Sequence, residues 1–291
     1  LKEWSEICKN FGLKGIANTH LDHAAALNDS VNQHCWDGRW YSRGITDDNT
    51  SFGVSEDTEG RIYLNPQSWA LLSGAADAKK SESLQTEVDA QLKTPFGLMM
   101  LAPAYTKMRE DVGRLTQKFP GTAENGSVYN HAAAFYSYAM FAAGNADAGL
   151  QVLTQMLPDD SQADVLQRGQ LPVFIPNYYR GAYYQHPEAA GRSSQLFNTG
   201  TVAWFYRCLT DGLLGFRGCR QGVQIKPSLP SGWPAFQATR EFRGAVFTLD
   251  ISRDSECSSQ VIAVNGKRLE GNRIHDILPG EHYQIDVRLP L

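Results

Sequence analysis

The hydrophobic period of this 291-residue chain changes near Gly215, and no other feature limits its fold as strongly. Before Gly215, apolar side chains recur at the spacing of one helix face. After it, they alternate with polar side chains, as in strands that bury one face. We therefore predict a helical part at residues 1–215 and a small β domain at residues 216–291. The residues that carry the alternating pattern are Ala245, Phe247, Leu249 and Ile251.

Helical spacing and helix start signals predict four or more long helices joined by polar loops. They run from Trp4 to Cys35, from Pro66 to Leu92, from Ala132 to Phe141, and through an apolar stretch up to Leu214. Pro66 stands where proline is favoured, at a first helical position. In the β part, Asn265 followed by Gly266 predicts a two-residue hairpin turn.

Composition and charge exclude several classes of function. The formal net charge is −4 and the basic residues are scattered, so neither nucleic acid nor a membrane surface is an expected partner. Five cysteines without a C-x-x-C pair argue against a disulfide framework and a zinc site, and favour the cytoplasm. Apart from His20 and His23, which stand three residues apart and are interpreted as surface residues of a helix, the histidines lack metal-ligand spacing, so no metal is expected. Leu1 is not an initiator methionine, and we expect the chain to be a piece of a longer one.

One polar cluster precedes the helix predicted from Ala132 to Phe141. It contains the carboxylate of Glu124, the hydroxyl of Ser127 and the imidazole of His131. Ser127 is expected to cap the helix, which leaves Glu124 and His131 near unpaired backbone N–H groups that attract anions. The cluster therefore predicts a pocket for a sugar, a phosphate or both. Alternatively, Asn125-Gly126 is only a turn and His131 is an ordinary helix residue.

A second polar cluster, residues 191–201, precedes the helix that ends at Leu214. Thr199 and Gly200 lie where the helix N–H groups lack partners, so the Thr199 hydroxyl and the Gly200 amide are suited to hold an oxyanion. The alternative is simple capping of the helix. The cluster is neither a Walker loop nor a dinucleotide fingerprint, and no cofactor is predicted.

Two loops place aromatic rings beside carboxylates and amides, which is the combination that sugar recognition uses. The first is Trp36-Asp37-Gly38-Arg39-Trp40-Tyr41, which is followed by an acidic run from Asp47 to Glu59. The second is Asn65-Pro66-Gln67-Ser68-Trp69. Alternatively, the tryptophans belong to the core and the acids to a solvated loop.

These clusters occur in an order that resembles glycoside hydrolase family 94, the inverting β-glucoside phosphorylases. The resembling blocks cover nearly the whole chain and are Trp36 to Tyr41, Gly60 to Trp69, Glu124 to Gly126, Tyr129 to His131, Asn198 to Thr201 and Phe242 to Ala245. The resemblance implies a mainly α fold, the C-terminal part of an (α/α)6 barrel, followed by a small β jelly-roll domain that forms a β-sandwich cap. This agrees with the change of period at Gly215.

In this family inorganic phosphate replaces water as the nucleophile, so the protein supplies one catalytic acid. The resemblance implies phosphate contacts for His131, Thr199 and Gly200, and a contact between Glu124 and the acceptor sugar. Phosphate is then a co-substrate and no cofactor is needed. The family's catalytic aspartate belongs to an upstream Asp-Trp-x-Asp motif, and this sequence has none. We therefore expect no catalytic residue here, the upstream portion of the same enzyme as a partner, and an inactive isolated piece.

Arg114 and Lys118 predict an acidic acceptor. Lys118 stands six residues before Glu124, where glucose-accepting relatives have a tyrosine, and Arg114 is four residues earlier. If this stretch is helical, both cations face one point and can clamp a carboxylate. With residues 167–172 and 176–181 they resemble cellobionic acid phosphorylases, which implies conversion of a β-1,4-glucosyl aldonic acid to α-glucose 1-phosphate and gluconic acid. Alternatively, the two cations are a solvated helix face.

The remaining expectations also come from the resemblance. Arg180 and Gln185 lie where relatives place a glutamine at the glucosyl subsite, so each is a candidate substrate ligand. Relatives are commonly homodimers, and we expect the same here. The alternatives left open are a phosphorylase of a neutral β-disaccharide such as cellobiose or diacetylchitobiose, an (α/α)6 hydrolase, and a non-catalytic carbohydrate-binding module.

Overall fold

The computed structural model describes residues 1–196 and 199–291. The α-helices in these ranges are α1 (Lys2–Asn10), α2 (Lys14–His34), α3 (Leu64–Ser73), α4 (Ala78–Gln91), α5 (Asn130–Ala142), α6 (Ala146–Met156), α7 (Gln162–Arg168) and α8 (Thr201–Arg207). A 3₁₀ helix spans Arg114–Gln117, and a π-helical segment, Cys208–Leu213, continues α8 without a break. All of these helices precede Gly215, where the hydrophobic period changes.

Two of the predicted helices are each a pair of helices. The stretch from Trp4 to Cys35 is divided at residues 11–13, and the stretch from Pro66 to Leu92 is divided after α3. Gly12 and Gly74 stand at these breaks with φ values of +75° and +76°. This left-handed backbone ends a helix, and glycine adopts it at little cost. The single-helix predictions were wrong because they gave too little weight to glycine as a helix terminator.

Helix α5 is the centre of the helical core. Nine of its thirteen residues are buried, and α3, α6 and α8 pack against it. The Ser137 hydroxyl donates to the Gly149 carbonyl of α6 at 2.8 Å. On the π-helical side, a Cβ at Gly212 would come within 2.8 Å of the Phe141 side chain. Because neighbours hold α5 on several sides, the side chains at its start have a fixed position.

The loops of the helical part contain eight two-residue strands. They pair as β1 (Gly44–Ile45) with β2 (Ser51–Phe52), β3 (Ile62–Tyr63) with β6 (Leu101–Ala102), β4 (Lys93–Thr94) with β5 (Gly97–Leu98), and β7 (Val128–Tyr129) with β8 (Tyr178–Tyr179). The β7–β8 pair matters most for function, because β7 leads directly into α5.

After Gly215 the chain forms two sheets that share one core. The larger sheet has the order β11 (Ala235–Phe242), β12 (Ala245–Arg253), β16 (His282–Leu289), β13 (Val261–Val264) and β14 (Lys267–Arg268), and the smaller has the order β15 (Arg273–His275), β10 (Gly222–Ile225) and β9 (Phe216–Cys219). Strands β12 and β16 are parallel, and the other neighbours are antiparallel. As predicted, β12 buries every second residue and the β13–β14 hairpin turns at Asn265-Gly266.

The order of helices followed by strands is thus as predicted. The described residues form a mixed structure of helix and strand, in which the strands contribute more than a mainly α description allows. The largest buried cluster of the helical part ends at Leu213, and the cluster of the β part begins at Phe216. A closed (α/α)6 barrel, a jelly-roll topology and domain bounds of 1–215 and 216–291 stay predictions.

Candidate functional site

The first turn of α5 and the two residues just before α8 meet at the imidazole of His131. The His131 Nδ1 lies 3.0 Å from the Thr199 Oγ1. Gly200 lies against the same ring, so that a Cβ at position 200 would be 2.4 Å from the His131 Nε2. Only glycine therefore fits at position 200 unless the ring moves. We call these three residues the His131 cluster; they were predicted separately from two distant stretches of sequence, and the structure brings them together.

The electrostatics of the His131 cluster suit a reversible anion contact. Burial lowers the pKa of His131, because loss of water disfavours the imidazolium form. A bound anion opposes that shift, since opposite charge favours the protonated ring. Gly200 precedes α8 and provides no side-chain cap, so the first N–H groups of that helix receive no hydrogen bond from it. The cluster can therefore offer an anion an imidazole, a hydroxyl and backbone N–H groups.

A row of aromatic rings connects His131 to a large cleft. The ring of Phe135 lies 4.6 Å from that of His131 and 4.7 Å from that of Trp204, between ring centroids. Trp69 lies 5.1 Å from Phe135. Trp69 and Trp204 line a cleft of about 1100 Å³, together with residues that include Arg43, Asn65 and Arg207. The cleft is large enough for a disaccharide-sized ligand.

The loop from Trp36 to Tyr41 is structural. Trp40 is fully buried, and its Nε1 donates to the carbonyls of Gly53 and Arg61 at 3.1 Å each. The Asp37 carboxylate accepts from the backbone N–H groups of residues 39, 40 and 55. The expectation that Trp40 and Asp37 bind sugar is therefore wrong, and the alternative of a core tryptophan applies. Trp69 differs, because 45% of its surface is exposed.

Asn125 fixes the loop that carries Glu124. Its side chain is fully buried and makes three hydrogen bonds: Oδ1 accepts from Tyr105 N at 2.8 Å, and Nδ2 donates to Tyr105 O at 2.8 Å and to Lys118 O at 2.7 Å. Asn125 thus joins the two ends of the segment 118–125 to each other and ties them to Tyr105 in a neighbouring loop. The sequence showed Asn125 only as part of a possible Asn-Gly turn, and this positioning role was missed.

This segment belongs to one of two loops that interlock. We call residues 118–126 the Glu124 loop and residues 180–186 the Gly181 loop. Gly181 N donates to Gly121 O at 2.9 Å, and Ala182 N donates to Gly126 O at 2.8 Å. A Cβ at Gly181 would lie only 2.0 Å from Gly126 O. The contact therefore requires glycine at position 181, and it makes the two loops one rigid surface.

Ser127 does not cap α5. Its hydroxyl donates to the Ala123 carbonyl within the Glu124 loop, and Tyr129 occupies the N-cap position of α5 without a side-chain hydrogen bond. The capping prediction was wrong because β7, Val128–Tyr129, separates Ser127 from the helix start. Glu124 and His131 therefore belong to different elements: Glu124 lies on the loop before β7, and His131 lies in the first turn of α5.

Arg114 and Lys118 do not share a helix face. Arg114 begins the 3₁₀ helix, while Lys118 follows that helix with extended backbone angles of −71° and 144°. The helical reasoning behind their pairing was therefore wrong. Both side chains are exposed, and Glu124 is half-buried. Among the described residues, none of these three side chains has an ion pair or hydrogen bond, so all three ionic groups are available to a ligand.

Arg180 and Gln185 have different surroundings. The Gln185 amide is paired with the backbone of Ala104: Oε1 accepts from Ala104 N at 2.7 Å, and Nε2 donates to Ala104 O at 3.1 Å. The Arg180 side chain is exposed and has no partner among the described residues. Gln185 thus anchors the Gly181 loop, and Arg180 is the better placed of the two for a substrate contact.

Residues 1–196 and 199–291 contain no group of three or more His, Cys, Asp or Glu side chains that could hold a metal ion. Within the same ranges, every helix is too short or too polar to cross a membrane. Cys8, Cys35, Cys208, Cys219 and Cys257 are all free thiols.

Known proteins match this chain along its whole length. It is 50% identical to the cellobionic acid phosphorylase of Neurospora crassa over 292 aligned residues, which cover 100% of the chain and 37% of that protein. It is 36% identical to the 3-O-beta-D-glucopyranosyl-beta-D-glucuronide phosphorylase of Paenibacillus borealis, covering 97% of the chain and 36% of that protein. It is 29% identical to the N,N'-diacetylchitobiose phosphorylase of Vibrio proteolyticus, covering 99% of the chain and 36% of that protein. The chain thus spans little more than a third of each relative.

The family model of the catalytic domain of the Glycosyl hydrolase 94 superfamily matches residues 1–215. This range contains all of the His131 cluster, the Glu124 loop and the Gly181 loop. The chain therefore belongs to the Glycosyl hydrolase 94 superfamily.

Proposed function

We propose that this chain is the C-terminal part of an enzyme that cleaves cellobionic acid, a β-1,4-glucosyl aldonic acid, with inorganic phosphate. The products are α-glucose 1-phosphate and gluconic acid, formed with inversion at the anomeric carbon. The observation that carries the proposal is the His131 cluster, in which an imidazole, a hydroxyl and a helix start meet at one point. The cellobionic acid phosphorylase that is 50% identical supports the choice of substrate.

The His131 cluster supplies what a phosphate nucleophile needs. The imidazole, once protonated, pairs with one phosphate oxygen, while the Thr199 hydroxyl and the Gly200 N–H donate to others. A phosphate oxygen then attacks the anomeric carbon from the face opposite the leaving group, which inverts the configuration. Only one carboxylic acid is required, to protonate the leaving oxygen. We place that acid, an aspartate, in the upstream portion of the enzyme, and assign no catalytic residue to these 291 residues.

The Glu124 loop supplies the acceptor contacts. Arg114 and Lys118 carry cationic groups without protein partners, and a carboxylate on the acceptor satisfies both. Glu124 accepts hydrogen bonds from acceptor hydroxyls, and Arg180 contacts the sugar from the Gly181 loop. The glucuronide-specific relative, whose name also indicates an acidic sugar, is consistent with a carboxylate at this place. A neutral acceptor leaves the two cations unpaired.

The test uses the longer enzyme that contains this chain, expressed from its complete reading frame. Cellobionic acid is supplied with and without phosphate, and both products are quantified. The proposal requires α-glucose 1-phosphate in the presence of phosphate and negligible cleavage in its absence. Equal cleavage without phosphate identifies a hydrolase, and preferred turnover of cellobiose or diacetylchitobiose identifies a neutral-disaccharide phosphorylase.

The isolated 291 residues and the longer enzyme together test the remaining parts of the proposal. A non-catalytic carbohydrate-binding module would bind glycans as the isolated 291 residues, without phosphate and without the upstream portion. We propose instead that the isolated piece binds weakly and turns nothing over. The enzyme is further proposed to be a cytoplasmic homodimer that needs no metal or organic cofactor. Sedimentation tests the homodimer, and treatment with a chelator tests the need for a metal.

A further inference from the structure

Phe119 is an aromatic side chain on the Glu124 loop that the proposed mechanism does not use. It follows Lys118 directly, and 61% of its surface is exposed. Its backbone is fixed, because the Thr122 N–H and hydroxyl both donate to the Phe119 carbonyl, at 3.0 and 2.6 Å. One exposed ring by itself means little. The surroundings of this ring are more informative.

The ring of Phe119 is supported from the Gly181 loop. The ring centroids of Phe119 and His186 are 5.6 Å apart, with the planes inclined by 36°. The backbone of His186 is held in turn, because its backbone N–H donates to the Ala182 carbonyl at 2.8 Å. Two interlocked loops therefore hold one aromatic surface in place while most of the Phe119 ring stays open to solvent.

The two loops that form this surface also carry charged side chains. Lys118 precedes Phe119, and Glu124 lies on the same loop. Arg180 extends from the loop that carries His186. None of these three side chains has a hydrogen bond or ion pair among the residues that the structure describes. An open ring on the same pair of interlocked loops as unpaired ionic groups matches a polyhydroxylated acid, which has C–H bonds for the ring and hydroxyl and carboxylate oxygens for the ionic groups.

We propose that Phe119 is a specificity-determining residue that receives the carbon skeleton of the acceptor, with His186 as the residue that positions its ring. This inference rests on the proposed phosphorylase function and extends it from the acceptor carboxylate to the acceptor carbons. The C–H face of the acceptor stacks on Phe119, which brings its carboxylate to Lys118 and a hydroxyl to Glu124.

The experiment measures the synthetic reaction of the longer enzyme, from α-glucose 1-phosphate and gluconate. Phe119→Ala is expected to raise the KM for gluconate about tenfold, the effect of losing one buried aromatic contact, while the KM for phosphate in phosphorolysis stays unchanged. Phe119→Tyr keeps the ring and should retain the wild-type KM. Phe119→Leu keeps apolar volume without a ring face and should resemble the alanine variant. Leu278→Ala is the control, because Leu278 is 59% exposed in the β part.

His186→Ala tests the support of the ring. This variant is expected to raise the KM for gluconate by a smaller factor than Phe119→Ala does. His186→Phe, which keeps a ring at this position, should have the wild-type KM. The inference is overturned if Phe119→Ala keeps the gluconate KM within about twofold of wild type, or if the KM values for gluconate and phosphate rise together. Failure of the proposed function is a separate result, since wild-type enzyme would then form no product from gluconate. If it accepts a neutral sugar instead, the same variants are compared with that sugar.

Discussion

Replacing Asn125 by alanine is expected to destabilise the protein by about 3 kcal/mol. The substitution removes three buried hydrogen bonds, to Tyr105 N, Tyr105 O and Lys118 O. Each such bond contributes about 1 kcal/mol net, and a buried backbone group left without a partner costs at least as much again. Water that enters the space of the lost amide can pair with these backbone groups and offsets part of that cost. The order of magnitude therefore follows from the number of bonds.

Urea unfolding followed by tryptophan fluorescence measures the effect. Asn18→Ala is the matched control, because Asn18 is exposed on α2 and its side chain has no hydrogen bond among the described residues. Its unfolding midpoint should stay within the equivalent of about 0.5 kcal/mol of wild type. Since Asn125 holds Lys118 and the Glu124 loop together, its alanine variant should also lose affinity for gluconate. An Asn125→Ala midpoint equal to that of Asn18→Ala would show that the three hydrogen bonds of Asn125 do not stabilise the fold.

Further predictions concern the two binding clusters. Gly200→Ala places a Cβ 2.4 Å from the His131 Nε2, so the KM for phosphate should rise at least about tenfold; Gly232→Ala, where a Cβ meets nothing within 4 Å, should leave it unchanged. His131→Ala should also raise the KM for phosphate sharply, and an unchanged value would remove His131 from the anion site. Because burial lowers the folded-state pKa of His131 below its ordinary value of 6.5, the unfolded chain holds the proton more tightly; stability should fall as the pH drops below about 6.5, and His131→Gln should flatten that dependence in urea midpoints. The double variant with Arg114→Ala and Lys118→Ala should lose the preference for gluconate over glucose, and a retained preference would show that the two cations do not clamp the carboxylate.

Periodicity was sufficient for the large features of the fold. The alternation from Ala245 to Ile251 gave β12 and its buried face, and Asn265-Gly266 gave the hairpin, because both patterns are local consequences of strand and turn geometry. The helix breaks at Gly12 and Gly74 were missed. Apolar spacing continues across them, so the backbone preference of a single glycine decides whether the helix ends there.

The site was only partly accessible to sequence reasoning. His131, Thr199 and Gly200 were identified from anion chemistry at helix starts and from family resemblance, but their mutual contact depends on the packing of α8 against α5. The helical pairing of Arg114 with Lys118 failed because a 3₁₀ helix ends between them. The roles of Asn125 and Gly181 arise from contacts between loops that are distant in sequence, and no local pattern reports such contacts.

The most direct test of the central claim is the dependence of product formation on phosphate. The longer enzyme is incubated with cellobionic acid over a series of phosphate concentrations, and the anomeric configuration of the released glucosyl product is followed by proton NMR. We expect α-glucose 1-phosphate at a rate that saturates with phosphate, and loss of that saturation at the same concentrations in Gly200→Ala. Release of free glucose at a rate independent of phosphate would contradict this expectation.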